Sequence, residues 1–101
     1  MIRHRILWKL REELSSEEKE TVKQNAKREL EGLVGQIDGL LSLTVEIRQL
    51  PSSNADMFLD SLLRDEAALE GYRISTVHNA VADQYVRPYT VQRLCLDHPE
   101  D

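Results

Sequence analysis

Hydrophobic residues recur with two different periods along this chain, and the order of those periods constrains the fold more than any other feature. Alternating apolar and polar residues are typical of half-buried strands, whereas apolar residues three and four apart are typical of amphipathic helices. The predicted elements are, in order, a strand over 2–10, a helix beginning at 15, strands over 41–48 and 56–64, a helical region over 65–85 and a strand over 90–98. This order predicts an α+β fold of the ferredoxin-like β-α-β-β-α-β type, with both helices on one face of a four-stranded antiparallel sheet.

Short-range signals support the boundaries of these elements. Ser15 stands three residues before Glu18, which is the spacing of a helix capping box. Asp65 is a good N-cap for the second helical region. The β-branched residues in 74–77 predict a break within that region, with the helix resuming at about His78.

Size and composition exclude several classes of protein. A chain of 101 residues with 41% hydrophobic residues predicts a single domain over 1–101. The net charge of -5 disfavours nucleic acid and anionic membranes as partners. The single cysteine, Cys95, excludes an intramolecular disulfide and favours a reducing compartment, so we expect a cytoplasmic protein. Charged residues interrupt the apolar N-terminal stretch, so we expect neither a signal peptide nor a membrane span.

One face of the predicted sheet has no helix to cover it. If His4, Ile6 and Trp8 point to the helices, the opposite side of the first strand presents Arg5 and Leu7 among other mixed side chains. A surface that combines apolar groups with charges of both signs can pair with a copy of itself across a two-fold axis. We therefore expect a homodimer joined sheet to sheet.

Several segments occur in the order and spacing of a known family. They are the opening strand 2–10, the turn and strand 39–45, the helix 65–72, His78, and the segment 86–89 before the last strand. Together they resemble the stress-responsive dimeric α/β-barrel domain over nearly the whole chain. The resemblance implies ferredoxin-like protomers whose sheets pack into a dimeric barrel. One branch of the family, similar to olivetolic acid cyclase, folds a linear polyketide and closes its ring without a cofactor.

The resemblance also implies site residues. The functional Tyr falls on Tyr72, the following His on His78, and the His of the first strand on His4, while Ser75 and Thr76 stand where the family often has a His and a Pro. In this interpretation, His78 is the general base for a proton α to a carbonyl, and Tyr72 donates a hydrogen bond to the developing enolate oxygen. His4 orients the substrate or holds the tautomer of His78.

Two classes of function remain open at this point. One is a noncatalytic dimeric binding or stress-associated protein, which holds a small hydrophobic carbonyl compound in a pocket between sheet and helices, where Trp8 supplies a flat apolar wall. The other is a cofactor-independent, polyketide cyclase-like enzyme. Tyr72 and His4 also fit the roles of core residues, and His78 fits that of a residue at the start of a helix.

Metal and thiol chemistry have weaker support in the sequence. A metal site built from His4, His78 and Asp56 is conceivable, but the chain has no local ligand spacing of the HExxH kind, so we expect neither a metal site nor a cofactor. Cys95 has no adjacent base and no second cysteine nearby, which favours a small strand residue over a nucleophile.

Overall fold

The computed structural model describes residues 1–100 and confirms the ferredoxin-like fold. Its elements are β1 (Ile2–Leu10), α1 (Ser16–Glu31), β2 (Leu40–Glu46), β3 (Met57–Leu63), α2 (Glu66–Ile74), α3 (Thr76–Tyr85), a short 3-10 turn (Arg87–Tyr89) and β4 (Thr90–Pro99). The four antiparallel strands lie in the order β2-β3-β1-β4, so β1 is central and β4 forms one edge.

The first helix begins and packs as its sequence predicts. The Ser15 hydroxyl accepts a hydrogen bond from the Glu18 amide at 3.0 Å, and the Glu18 carboxylate accepts one from the Ser15 amide at 2.8 Å. Val22, Ala26 and Leu30 form its buried stripe. Because these residues recur at steps of four, they lie along one side of α1 and hold the helix against the sheet.

The second strand differs from its prediction at its first residues. Strict alternation over 41–48 would turn Leu41 inward, but a bulge between Leu40 and Ser42 changes the side on which residues point. Leu40 is therefore buried, and Leu41 is 49% exposed. Beyond the bulge, Leu43 and Val45 are buried, as the alternation predicts.

The break in the second helical region is narrower than the sequence suggests. Ser75 alone separates α2 from α3, with an extended ψ of 129°. Its amide donates to the Tyr72 carbonyl at 3.2 Å, and its hydroxyl accepts from the His78 amide at 3.3 Å. Helix α3 already begins at Thr76. A β-branched residue is tolerated there because, in the first turn of a helix, no preceding turn crowds its side chain. The predicted start at about His78 was therefore late.

The two faces of the sheet have different surroundings. His4, Ile6 and Trp8 are buried on the helix-covered face, as predicted. The opposite face carries Leu7, which is 41% exposed, and Leu94 and Leu96, which are 60% and 62% exposed. Within residues 1–100, none of the helices has the length and apolar character needed to cross a membrane.

Candidate functional site

A cavity of about 420 Å³ lies between the β1–β4 side of the sheet and helices α2 and α3. All four site residues predicted from the sequence line it, namely His4, Trp8, Tyr72 and His78. The buried part of its lining is largely apolar and includes Ile6, Trp8, Leu30, Leu59 and Val86. The exposed part of its lining is polar and includes Arg73, Arg87, Arg93, Cys95 and Asp97.

A larger depression lies elsewhere and has different chemistry. It measures about 680 Å³, is more open to solvent, and runs beside the start of α1, where Glu17, Glu18 and Glu20 face Tyr85 and Tyr89. The Glu18 carboxylate is already engaged in the helix cap, and its backbone and side-chain hydrogen bonds to Ser15 lower its pKa. We take the smaller cavity as the candidate site because it holds the aromatic and imidazole groups whose pKa values burial perturbs.

Tyr72 and His78 are stacked against each other inside the cavity. Their ring centroids are 4.1 Å apart, with an angle of 27° between the ring planes. Six residues of continuous helix would separate their Cα atoms by about 9 Å and turn them through about 600°. The single extended residue between α2 and α3, Ser75, is what brings the two rings together.

Burial keeps both of these side chains neutral. Desolvation raises the pKa of the Tyr72 phenol well above its ordinary value of 10, although the charges of Arg93 and Arg87 act in the opposite direction. Desolvation, followed by the charge of Arg87, lowers the pKa of His78 to about 4. At pH 7 the cavity therefore presents an uncharged phenol beside an uncharged imidazole.

Neither of the two groups is fully engaged by the protein. The Tyr72 hydroxyl makes no hydrogen bond to any residue in the described part of the chain, and it is not fully enclosed. His78 Nδ1 is buried and makes no hydrogen bond of good geometry within residues 1–100, although the backbone of Tyr72 and Arg73 is close enough to the ring to raise its pKa against the effect of burial. The Tyr72 hydroxyl is therefore the polar group of this pair that a ligand in the cavity can reach.

His4 is fixed by its neighbours on β4 and α2. Its Nδ1 lies 2.5 Å from Asp97 Oδ1, and its ring meets that of Tyr72 edge to face at a centroid distance of 5.7 Å. When Nδ1 donates its proton to Asp97, Nε2 is left as the acceptor of the imidazole. Sequence reasoning missed Asp97. The available signal was the alternation of β4, combined with the β1–β4 pairing of the fold, which sets Asp97 opposite His4.

The metal-ligand set considered from the sequence is not assembled. Asp56 lies near the far end of β1, where its carboxylate accepts a hydrogen bond from the Leu10 amide at 2.7 Å. It does not line the cavity that contains His4 and His78. Cys95, in contrast, lies beside His4 and carries a free thiol.

Fold and cavity together define a ferredoxin-like α+β protein with a cavity between its sheet and its helices. The family model of the stress responsive A/B barrel domain matches residues 2–100, and the chain belongs to this family. The resemblance noted in the sequence is thereby confirmed. No match was found among curated proteins.

Solved structures from several organisms share the fold. A dimeric protein of unknown function with a ferredoxin-like fold from Bacteroides fragilis is 24% identical, with a TM-score of 0.90 over 96% of this chain and 93% of that one. A Dabb family protein from Mesorhizobium loti is 20% identical, with a TM-score of 0.73 over 98% and 95% of the two chains. A hydroxynitrile lyase from Passiflora edulis is 13% identical, with a TM-score of 0.69 over 96% and 90%. At these identities the likeness concerns the fold.

Proposed function

We propose that the protein binds a small, largely apolar carbonyl compound in the cavity between its sheet and helices. The observation that carries this proposal is the unpartnered Tyr72 hydroxyl, held neutral by burial in a cavity with apolar walls. A phenol of this kind donates a hydrogen bond to a carbonyl oxygen, while the apolar walls, including Trp8, bury the body of the ligand. The neutral imidazole of His78, stacked on the same ring, adds a second polar contact.

Binding is tested with pairs of probes that differ only in the carbonyl group. Medium-chain methyl ketones and the alkanes of matching length are titrated into the protein, and amide and aromatic NMR shifts are followed. We expect the ketone to bind more tightly, and Tyr72→Phe to weaken it about five- to tenfold, the worth of one neutral hydrogen bond. Tyr85→Phe, which changes a tyrosine outside this cavity, is the matched control. Equal affinities for ketone and alkane would contradict the proposal.

A second candidate function is cofactor-independent proton transfer. In this scheme, His78 removes a proton α to the carbonyl, Tyr72 donates to the enolate oxygen as it forms, and His4 orients the substrate. An imidazole whose pKa is about 4 is a weak base, so the carbon acid must be made acidic by two flanking carbonyls. This requirement favours β-dicarbonyl substrates, including the linear poly-β-keto compounds that a cyclase would close. One protein that shares the fold, the hydroxynitrile lyase from Passiflora edulis, is an enzyme, which is compatible with this second candidate function.

Catalysis is tested with linear poly-β-keto acids or thioesters, and the cyclised product is followed by chromatography. His78→Ala should lose most of the turnover with a modest loss of affinity, and Tyr72→Phe should lose part of it, while circular dichroism shows an unchanged fold. Equal product from wild type, both variants and buffer would leave binding as the function of the cavity. Saturable binding without turnover would support the first proposal alone.

The protein acts as a homodimer in this proposal. The sheet face opposite the helices exposes Leu7, Leu94 and Leu96, and burying such a patch against a copy of itself removes apolar surface from water. The solved structures from Bacteroides fragilis and Thermobifida fusca that share the fold are described as dimeric.

Light scattering should return twice the chain mass. Leu94→Asp should return the monomer mass, whereas Val34→Asp, an equally drastic change of an exposed side chain after α1, should leave the dimer intact. A wild-type monomer at micromolar concentration would contradict this part.

The cytoplasmic location remains a prediction from the single cysteine. Fractionation of cells that express the chain with a C-terminal tag would test it.

A further inference from the structure

Three side chains with metal-binding atoms meet on the helix-facing side of β1 and β4. His4 Nδ1 lies 2.5 Å from Asp97 Oδ1 and 3.9 Å from Cys95 Sγ, and Cys95 Sγ lies 3.6 Å from Asp97 Oδ1. The strand register explains this cluster, because Asp97 pairs with His4 and Cys95 pairs with the neighbouring Ile6. Residues 95 and 97 are two apart on one strand, so their side chains point to the same face.

The separations between these atoms approach those of tetrahedral zinc coordination. With ordinary Zn–N, Zn–O and Zn–S bonds, the sulfur would lie about 3.6 Å from either of the other two ligand atoms, and the nitrogen about 3.3 Å from the oxygen. Both sulfur separations already lie near that value. Only the His4–Asp97 separation must widen, by about 0.8 Å, as the ion replaces the hydrogen that the pair now shares. We propose that His4, Cys95 and Asp97 form a binding site for a divalent transition-metal ion of the zinc class.

The chemistry of the ligand set fits such an ion. Imidazole, thiolate and carboxylate are all zinc ligands, and the two formal negative charges of Cys95 and Asp97 balance the charge of the ion. His4 is only 7% exposed, so little side-chain freedom is lost when its ring becomes a ligand. Three protein ligands leave the fourth tetrahedral position open. The ligands line the cavity, so a small molecule bound there has access to that position.

Binding has a defined proton balance. Burial and the neighbouring Asp97 raise the pKa of the Cys95 thiol, so the thiol is protonated at pH 7 in the absence of metal. Coordination releases that one proton, whereas the His4 proton moves from Nδ1 to Nε2.

The metal site does not require the proposed carbonyl binding, because neither Tyr72 nor His78 is among the ligands, although all five residues line the same cavity. It also departs from the sequence prediction of no metal site. That prediction rested on local spacing, whereas His4 is 91 residues from Cys95 and 93 residues from Asp97.

The test uses Co²⁺ as a spectroscopic probe on the full chain, kept reduced and treated first with a chelator. We expect one Co²⁺ per chain, with the visible bands of four-coordinate cobalt and a thiolate-to-cobalt charge-transfer band, all of them displaced by one equivalent of Zn²⁺. Cys95→Ser should abolish the charge-transfer band, and Asp97→Asn should weaken binding at least about tenfold. Both residues are exposed, so the variants should keep the fold, which circular dichroism checks.

His98→Gln provides the matched control. It changes a histidine of the same strand whose side chain points to the opposite face of the sheet, and its cobalt spectrum should equal that of the wild type. Three results would overturn the site: no stoichiometric binding by the wild type in a large excess of Co²⁺, a charge-transfer band that survives in Cys95→Ser, or equal loss of binding in His98→Gln.

Discussion

Replacing His78 by glutamine should reduce the loss of unfolding free energy that the protein undergoes as the pH falls below about 6.5. The pKa of His78 is lowered from an ordinary value of 6.5 to about 4 in the folded protein, so the unfolded chain binds this proton more tightly. The free energy of unfolding therefore falls as the pH drops through the window from about 6.5 to about 4, and His78 has no such effect above that window. The whole shift corresponds to about 3 kcal/mol. Because His78 is only partly shielded from water, we expect about 1–2 kcal/mol.

Urea denaturation of wild type and His78→Gln between about pH 7.5 and about pH 4.5 measures this effect. Other carboxylates titrate in both proteins, so the quantity of interest is the difference between the two unfolding free energies at each pH. This difference should change in favour of the variant by about 1–2 kcal/mol as the pH falls. NMR titration of the His78 imidazole gives the pKa directly. Parallel stability profiles, or a titration midpoint near 6.5, would refute the reasoning.

Three further changes test the packing of the fold, and urea denaturation measures each of them. Ser15→Ala removes the hydroxyl that accepts from the Glu18 amide and should destabilise the protein by about 1 kcal/mol, an effect that Ser15→Asp should largely restore. Gly39→Ala forces a side chain onto a φ of 82° and sets its Cβ 2.4 Å from that of Ala68, so a loss of about 2 kcal/mol or more is expected, and unchanged stability would disprove this clash. Ala26→Leu overfills a position that is 0% exposed and should destabilise by about 1–3 kcal/mol, unlike a substitution on the solvated side of α1.

Local patterns were sufficient to predict most of the fold. Once one face of β1 is buried, its alternation determines which side chains point inward. The Ser15 capping box predicts the start of α1 to within one residue. Local patterns failed where backbone geometry interrupts a period. The bulge after Leu40 reverses the side on which Leu41 points, and nothing in the alternation itself marks an extra residue.

The candidate site was predictable to a different extent. The resemblance to the family indicated Tyr72 and His78, and a break between them was foreseen, although its restriction to Ser75 was not. Asp97 was missed because its relation to His4 exists only through strand pairing across most of the chain. The spacing of neighbouring residues in the sequence does not reveal such a contact, whereas the register of β1 against β4 places Asp97 directly opposite His4.

The pairing of β1 with β4 also governs when the cavity can exist. During synthesis, β1, α1, β2 and β3 emerge before β4, and the sheet can form from its β2 edge as far as β1 without it. The wall that carries Cys95 and Asp97 is then still missing, and His4 faces water. Because His4 is by then already paired with Ser61, the segment that must close onto β1 runs from residue 61 to residue 97, which is far shorter than the 93-residue separation of His4 and Asp97. A nascent chain that lacks β4 therefore presents an open, largely apolar half-cavity, and exposed apolar surface of this kind promotes aggregation and recognition by chaperones.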